Sequence, residues 1–206
     1  MKRDESPLPS RRQILFAATA GLTLGALPWQ QRAAWAATGP ETYVKSLGND
    51  VIALAKSGTR GSSLRSRFVS LLQRHSDIRG IALFSLGTYQ KQLPAGERSK
   101  YFDLVIRYAA GFFAYYIEDF AGTGFDVKSS RPRGKSIEVE SAIRFENGST
   151  APVRWSVVKS GSGYRVNDVN VRGIWLSLQM QQQFTSVLKR NKGDFEALFK
   201  YLSENA

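Results

Sequence analysis

The side chains that could carry chemistry in this chain are few. It has one histidine, His75, and no cysteine; its candidate acid pairs are Glu118-Asp119 and Glu138/Glu140, and its one serine-glycine run is Ser160-Gly161-Ser162-Gly163. Serine catalysis needs an imidazole base and a nucleophile on a strained elbow, whereas the run lacks the Gly-x-Ser-x-Gly order and reads as a hairpin turn. One imidazole without thiolates cannot assemble a zinc or iron site of several nitrogen and sulfur ligands within one chain. The missing cysteines also exclude a disulfide framework, a thiol nucleophile and lipid attachment to cysteine. His75 ends a polar helical stretch, where an imidazole is expected to stabilise the C-terminal dipole. Glu118 and Asp119 point apart on a helix, and strand acids at alternate positions are expected to be solvated. No Walker-type loop or Gly-x-Gly-x-x-Gly is present. The expectation is a protein that is not an enzyme, with no catalytic residue, no metal site and no cofactor.

The chain has 206 residues, 42% of them hydrophobic and 22% charged, which suits one well-cored domain and argues against disorder. Its formal charge of +12 would by itself suggest nucleic acid or an anionic membrane surface. The first 36 residues redirect that reading. A polar, basic start ends in Ser10-Arg11-Arg12, a weakly apolar stretch runs from Ile14 to Leu27, Pro28 breaks it, and Ala34-Trp35-Ala36 offers the small residues of a peptidase cut. This is the pattern of an export signal, and Ser-Arg-Arg-Gln-Ile-Leu is similar to a twin-arginine motif. The alternative is an uncleaved anchor, but fourteen residues span only about 21 Å of a roughly 30 Å hydrocarbon core. The expected organisation is a Tat-type signal peptide over 1–36 and a single domain over 37–206, in the periplasm. Removing the signal takes five Lys/Arg and two Asp/Glu and leaves +9, so the expected partner of that charge is an anionic membrane surface or an acidic protein, not nucleic acid.

Helical periodicity occupies the first half of the mature chain. Tyr43, Leu47, Val51 and Leu54 mark a helix over Pro40 to Ser57, and Phe68, Leu71 and Leu72 a second over Leu64 to Arg74. Asp77 caps a third that Gly87 stops. The spacing then predicts one long helix from Ala95 to Phe120, whose apolar face is broad: Phe102, Val105, Ile106, Tyr108, Ala109, Phe112, Phe113, Tyr116, Ile117 and Phe120. Such a stripe needs cover on more than one side. Beyond Gly122 the period becomes two. Ile137 to Phe145, the strand through Val153, Trp155 and Val157, and Tyr164 to Val171 form a meander, with a bulge expected near Asn167-Asp168. Lys128, Arg131, Arg133 and Lys135 are expected to frame a loop. Helices from Trp175 to Arg190 and Asp194 to Ser203 close an α+β pattern.

The stretch Ile81-Ala82-Leu83-Phe84-Ser85-Leu86-Gly87-Thr88-Tyr89-Gln90-Lys91-Gln92-Leu93-Pro94-Ala95-Gly96-Glu97-Arg98, continuing into Phe102, resembles the leucine-glycine turn and following helix of the MlaC family. Val166-Asn167-Asp168-Val169-Asn170-Val171-Arg172-Gly173-Ile174, then Gln183-Phe184, resembles that family's Asp-Val and Gly-hydrophobic-Ser segment and its last helix, with Trp175 where serine is usual. The likeness runs from about Glu41 to Leu202. It implies a cystatin/NTF2-like α+β fold, helices packed on a curved antiparallel sheet around an apolar cavity. It further implies a periplasmic carrier that holds phospholipid acyl chains and shuttles between an outer-membrane lipoprotein complex and an inner-membrane MCE-domain ABC transporter. Hopanoid or another terpenoid cargo is the alternative, and an enzyme on a cystatin-like fold a remoter one.

The carrier reading has a physical rationale. Two chains of about fifteen methylenes at roughly 0.8 kcal/mol each cost about 24 kcal/mol exposed to water, so crossing an aqueous gap needs an apolar, adaptable pocket. Inward-facing candidates for it are Leu83, Leu86, Val105, Phe112, Tyr116, Ile143, Trp155, Val157, Val169 and Ile174. Lys128, Arg131, Arg133 and Lys135 are candidates for contact with a lipid headgroup or an acidic partner.

Overall fold

Pro at the first helical position and an unbroken apolar face start the described chain as helix α1, Pro40–Lys56. The computed structural model describes residues 39–206; the export segment expected over 1–36 lies outside the described residues. α1 buries Val44, Leu47, Val51, Ile52 and Ala55. Gly48 is where it meets the sheet, since a Cβ there would stand 2.3 Å from the Phe125 ring. Helix α2, Gly61–His75, turns Leu64, Phe68 and Leu71 inward. Asp77 caps α3, Ile78–Ser85, by accepting from the Gly80 N–H at 3.2 Å. Two 3-10 turns, Gly87–Gln92 and Ala95–Glu97, lead into α4, Arg98–Tyr115, and a third, Ile117–Phe120, follows it.

The long helix expected from Ala95 to Phe120 is therefore shorter and broken at Tyr116, whose φ of −96° and ψ of 17° leave the helical range. Two cores explain both the break and the breadth of the stripe. Tyr101 and Val105 on the first turns of α4 are buried in a core made with Ala82, Leu86, Phe184, Leu188, Leu198 and Leu202. Ala110, Ile117 and Phe120 belong instead to a core made with α1, α2 and the sheet, where Phe113 stacks on Phe68 with ring centroids 5.5 Å apart. One element serves two cores in succession, so the broad face needs no cavity to account for it.

The sheet is an antiparallel meander in the order β1-β2-β3-β4-β5, comprising Gly124–Arg133, Ser136–Arg144, Thr150–Ser160, Gly163–Val171 and Ile174–Trp175. The bulge expected near Asn167-Asp168 is present: Ser156 pairs with Asp168 and Val157 with Val166, leaving Asn167 as the extra residue. Val139, Ile143, Val153, Trp155, Val157 and Val169 face the helices. On the opposite face, register sets up two rows. One runs Ser129, Glu140, Arg154, Asn170 and Trp175; the other runs Arg131, Glu138, Ser156 and Asp168. Helix α5, Leu176–Arg190, and α6, Phe195–Glu204, close the chain, the latter capped by Asp194.

Two expectations are corrected here. Lys128, Arg131 and Arg133 lie on β1, not on a loop; only Lys135 sits in the hairpin turn between β1 and β2. Glu138 is not solvated: its side chain is 1% exposed, clasped by Arg131 at 2.6 Å and Arg133 at 3.2 Å. β1 thus supplies the cations that cover an acid on β2.

Candidate functional site

No group of three or more metal-binding side chains occurs among the described residues. His75 ends α2, but the helix terminus is served by others. Arg165 Nη1 donates to the carbonyls of Ser76 at 3.0 Å and Gln73 at 3.3 Å, and the Tyr43 hydroxyl donates to the His75 carbonyl at 2.9 Å. Burial, helped by the charge of Arg74, lowers the imidazole below its ordinary value, so His75 is not the cation that steadies this helix end.

The apolar space of interest lies where the two cores meet. Tyr108, Ala109 and Phe112 on α4 face Leu176, Gln179 and Met180 on α5 around a hollow of about 30 Å³, roughly the share of one water molecule in the liquid. Leu176 packs on the sheet-side core and Met180 on the helical one, so the hollow sits on the seam. Beside it runs an open groove of about 540 Å³ between α2 and α4, lined among others by Arg60, Leu64, Tyr115 and Tyr116. Tyr108 and Phe112 line both spaces. They are the shared wall, and Tyr115 at 81% exposed and Tyr116 at 41% place aromatic surface at the groove's mouth. A second groove, about 730 Å³, lies between α3 and the sheet, with Phe84 and Leu178 exposed beside Asp77, Arg133 and Asp168. Both grooves mix charged and apolar side chains in their lining.

The ten residues expected around one cavity are distributed over these regions. Ile143, Trp155, Val157 and Val169 are in the sheet-side core. Leu86 and Val105 are in the helical core with Leu83 packed against it. Phe112 is on the seam and Tyr116 on the groove. Ile174 is exposed on β5. Of the four basic residues, Arg131 and Arg133 hold Glu138, while Lys128 lines a separate polar cavity and Lys135 is exposed in its turn. Tyr108 stands on the broad apolar face of the long helix but not among the ten pocket candidates, and Leu176 and Met180 are in neither set. Leu176, Met180 and Phe184 do recur every fourth position, a signal diluted by the glutamines between them.

Asp168 fixes the geometry of the seam. Its Oδ1 accepts from the Ser177 N–H at 3.0 Å and its Oδ2 from the Ser177 hydroxyl at 2.5 Å, tying β4 to the first turn of α5. Burial raises its carboxyl above the ordinary value, against the lowering effect of those hydrogen bonds. Among the described residues no helix is long and apolar enough to cross a membrane.

Comparison with known proteins bears on this arrangement. No curated protein matches the chain. A solved phospholipid-binding protein from Ralstonia solanacearum, determined in complex with a phospholipid, superposes with a TM-score of 0.66 at 22% identity, covering 80% of this chain and 95% of its own. That likeness establishes a shared α+β fold. The family model described as MlaC protein matches residues 45–204, nearly all of the described fold, and the chain belongs to the MlaC family.

Proposed function

We propose that this protein is a periplasmic lipid carrier that takes phospholipid acyl chains into the seam between its two cores and leaves the headgroup at the groove. Residues 1–36 act as a Tat-type export signal, and the domain over 37–206 shuttles cargo between an outer-membrane lipoprotein complex and an inner-membrane MCE-type ABC transporter. Family membership supports the carrier class, and the Ralstonia neighbour's bound phospholipid supports the cargo. The observation that carries the seam is the shared wall of Tyr108 and Phe112 between an open groove and a small, mainly apolar hollow.

In this state the hollow has room for about one water, so a chain enters only if α4 and α5 part. Those helices face each other across Phe112, Leu176 and Met180 and touch where the Tyr108 ring meets the Phe184 ring edge to face, with centroids 5.3 Å apart. A methylene moved from a bilayer into such a seam exchanges one apolar medium for another, and loading and release are both accessible. Turnover by an active site is not part of this reading. Native mass spectrometry and lipid extraction of protein purified from its own host test it: a stoichiometric glycerophospholipid mass supports the proposal, a hopanoid or other terpenoid mass reassigns the cargo, and protein free of any lipid overturns it.

A further inference from the structure

The two rings of the wall between groove and hollow are held differently. Phe112 meets the rings of Tyr116 and Phe113, with centroids 4.8 and 6.4 Å apart, and has no polar atom to fix it. Tyr108 stands between Phe184 of α5, which it meets edge to face at 5.3 Å, and Tyr201 of α6, whose ring lies tilted at 6.0 Å. Phe184 is fully buried, whereas Tyr201 is partly buried against the same helical core. Burial first, and then a hydrogen bond to the Tyr201 side chain, raise the Tyr108 phenol above its ordinary value. Tyr201 lines neither the groove nor the hollow. It acts on them through the Tyr108 ring.

An acyl chain that passes from the groove to the hollow has to displace part of this wall, because the hollow holds about one water while the wall is in place. The Tyr108 ring is closed in by the buried Phe184 ring on one side and borders the open groove on another, so it has room to move only toward the groove. That movement gives up the bond to Tyr201 and lets the freed hydroxyl meet water, so opening costs the net value of one hydrogen bond. We propose that Tyr108 is the gate between groove and hollow, and that Tyr201 is the positioning residue that sets how often the gate opens. The inference rests on the carrier reading and deepens it by assigning the regulation of the same site. A tail lying across the wall keeps the ring displaced for as long as it stays. Loading therefore waits for the open fraction, and the apparent affinity scales with that fraction. Release starts from a ring already displaced and does not depend on it.

The test is uptake of a pyrene-acyl phosphatidylglycerol by the lipid-free full chain from donor vesicles, at protein concentrations where the rate rises linearly with protein, with release read by a chase into unlabelled vesicles. Tyr201→Phe keeps the ring and removes the hydroxyl. It is expected to raise the loading rate and the affinity about three- to tenfold, as for one net hydrogen bond, and to leave release unchanged. Tyr108→Phe is expected to do the same, and the double variant to do no more than either single one, because each removes the same bond. Tyrosine-labelled NMR of lipid-free Tyr201→Phe reads the gate in the folded chain: the Tyr108 ring signal is expected to shift while that of Tyr43, in the other core, stays in place. General loosening of the helical core would instead speed release along with loading and add up in the double variant. That result overturns the proposal, as does Tyr201→Phe loading at the wild-type rate. Wild-type protein that takes up no labelled lipid removes the carrier reading and the gate with it; wild-type uptake with indifferent variants removes the gate alone.

Discussion

Asp168 and Ser177 join the sheet to the helix that closes the seam: one carboxylate accepts both the backbone N–H and the hydroxyl of the same serine, at 3.0 and 2.5 Å. Trp175, which precedes α5, makes no side-chain cap of its own, so the sixth residue of β4 supplies from the sheet what a local cap ordinarily would. The direction in which α5 leaves the sheet, and with it the positions of Leu176 and Met180, follows from this contact.

The buried carboxyl of Asp168 is expected to make acid favourable at this point of the structure. Its folded value lies above the ordinary 3.8 because burial outweighs its hydrogen bonds. The folded state therefore holds the proton more tightly than the unfolded one, and the resulting stability is full below the ordinary value and lost as pH rises through the raised one. Asp168→Asn keeps an acceptor for the Ser177 N–H and removes the buried charge, so its thermal unfolding profile loses that acid-side gain. Asp168→Ala removes the cap and costs about 1 kcal/mol, measured by denaturant unfolding at neutral pH.

Glu138 slopes the other way. Hydrogen bonds from Arg131 come first in lowering its carboxyl below the ordinary 4.5, burial opposes them, and the charges of Arg131, Arg133 and Arg154 add to the lowering. The stability it contributes is present above the ordinary value and lost as pH falls through the depressed one. Glu138→Gln should flatten the acid limb of the unfolding profile while reducing stability at neutral pH. A variant with an unchanged limb would show that the two arginines do not hold the acid in solution.

In the helical core, the Tyr101 hydroxyl donates to the Ala82 carbonyl at 2.7 Å, joining α4 to α3. Burial raises the phenol far above its ordinary value, so it remains a donor at any pH the fold survives. Tyr101→Phe leaves that carbonyl unpaired and is expected to cost about 1–3 kcal/mol, with cargo retention unaltered because Tyr101 lines neither the hollow nor the groove beside it.

Phe112 should govern access to the seam. Phe112→Ala removes most of the wall between groove and hollow, and lipid exchange with donor vesicles is expected to speed up severalfold; Phe112→Trp is expected to slow it. A fluorescent-lipid transfer assay reads both. Equal rates in the two variants would place the path elsewhere.

Much of this fold is written in local patterns. Helical spacing marks α1 through α3, the switch to period two marks β2 through β4, and the phase slip between Val166 and Val169 marks the bulge. β1 escapes because Lys128-Ser-Ser-Arg-Pro-Arg has no apolar alternation: it is an edge strand whose last residues are largely exposed, and its charges act on β2 across the ladder. The burial of Glu138 is illegible for the same reason, since its partners come from that unrecognised strand. The breadth of the α4 face is plain in the sequence, but its division between two cores is a tertiary fact, and periodicity alone cannot tell two shared interfaces from one cavity.

The most direct measurement locates the tail. A phospholipid carrying a photoactivatable diazirine near the middle of an acyl chain is loaded onto the protein, irradiated, and mapped by peptide mass spectrometry. The account predicts adducts on the segments bearing Tyr108, Phe112 and Met180; adducts confined to the groove beside Phe84 and Leu178, or none above the level of an unloaded control, would contradict it.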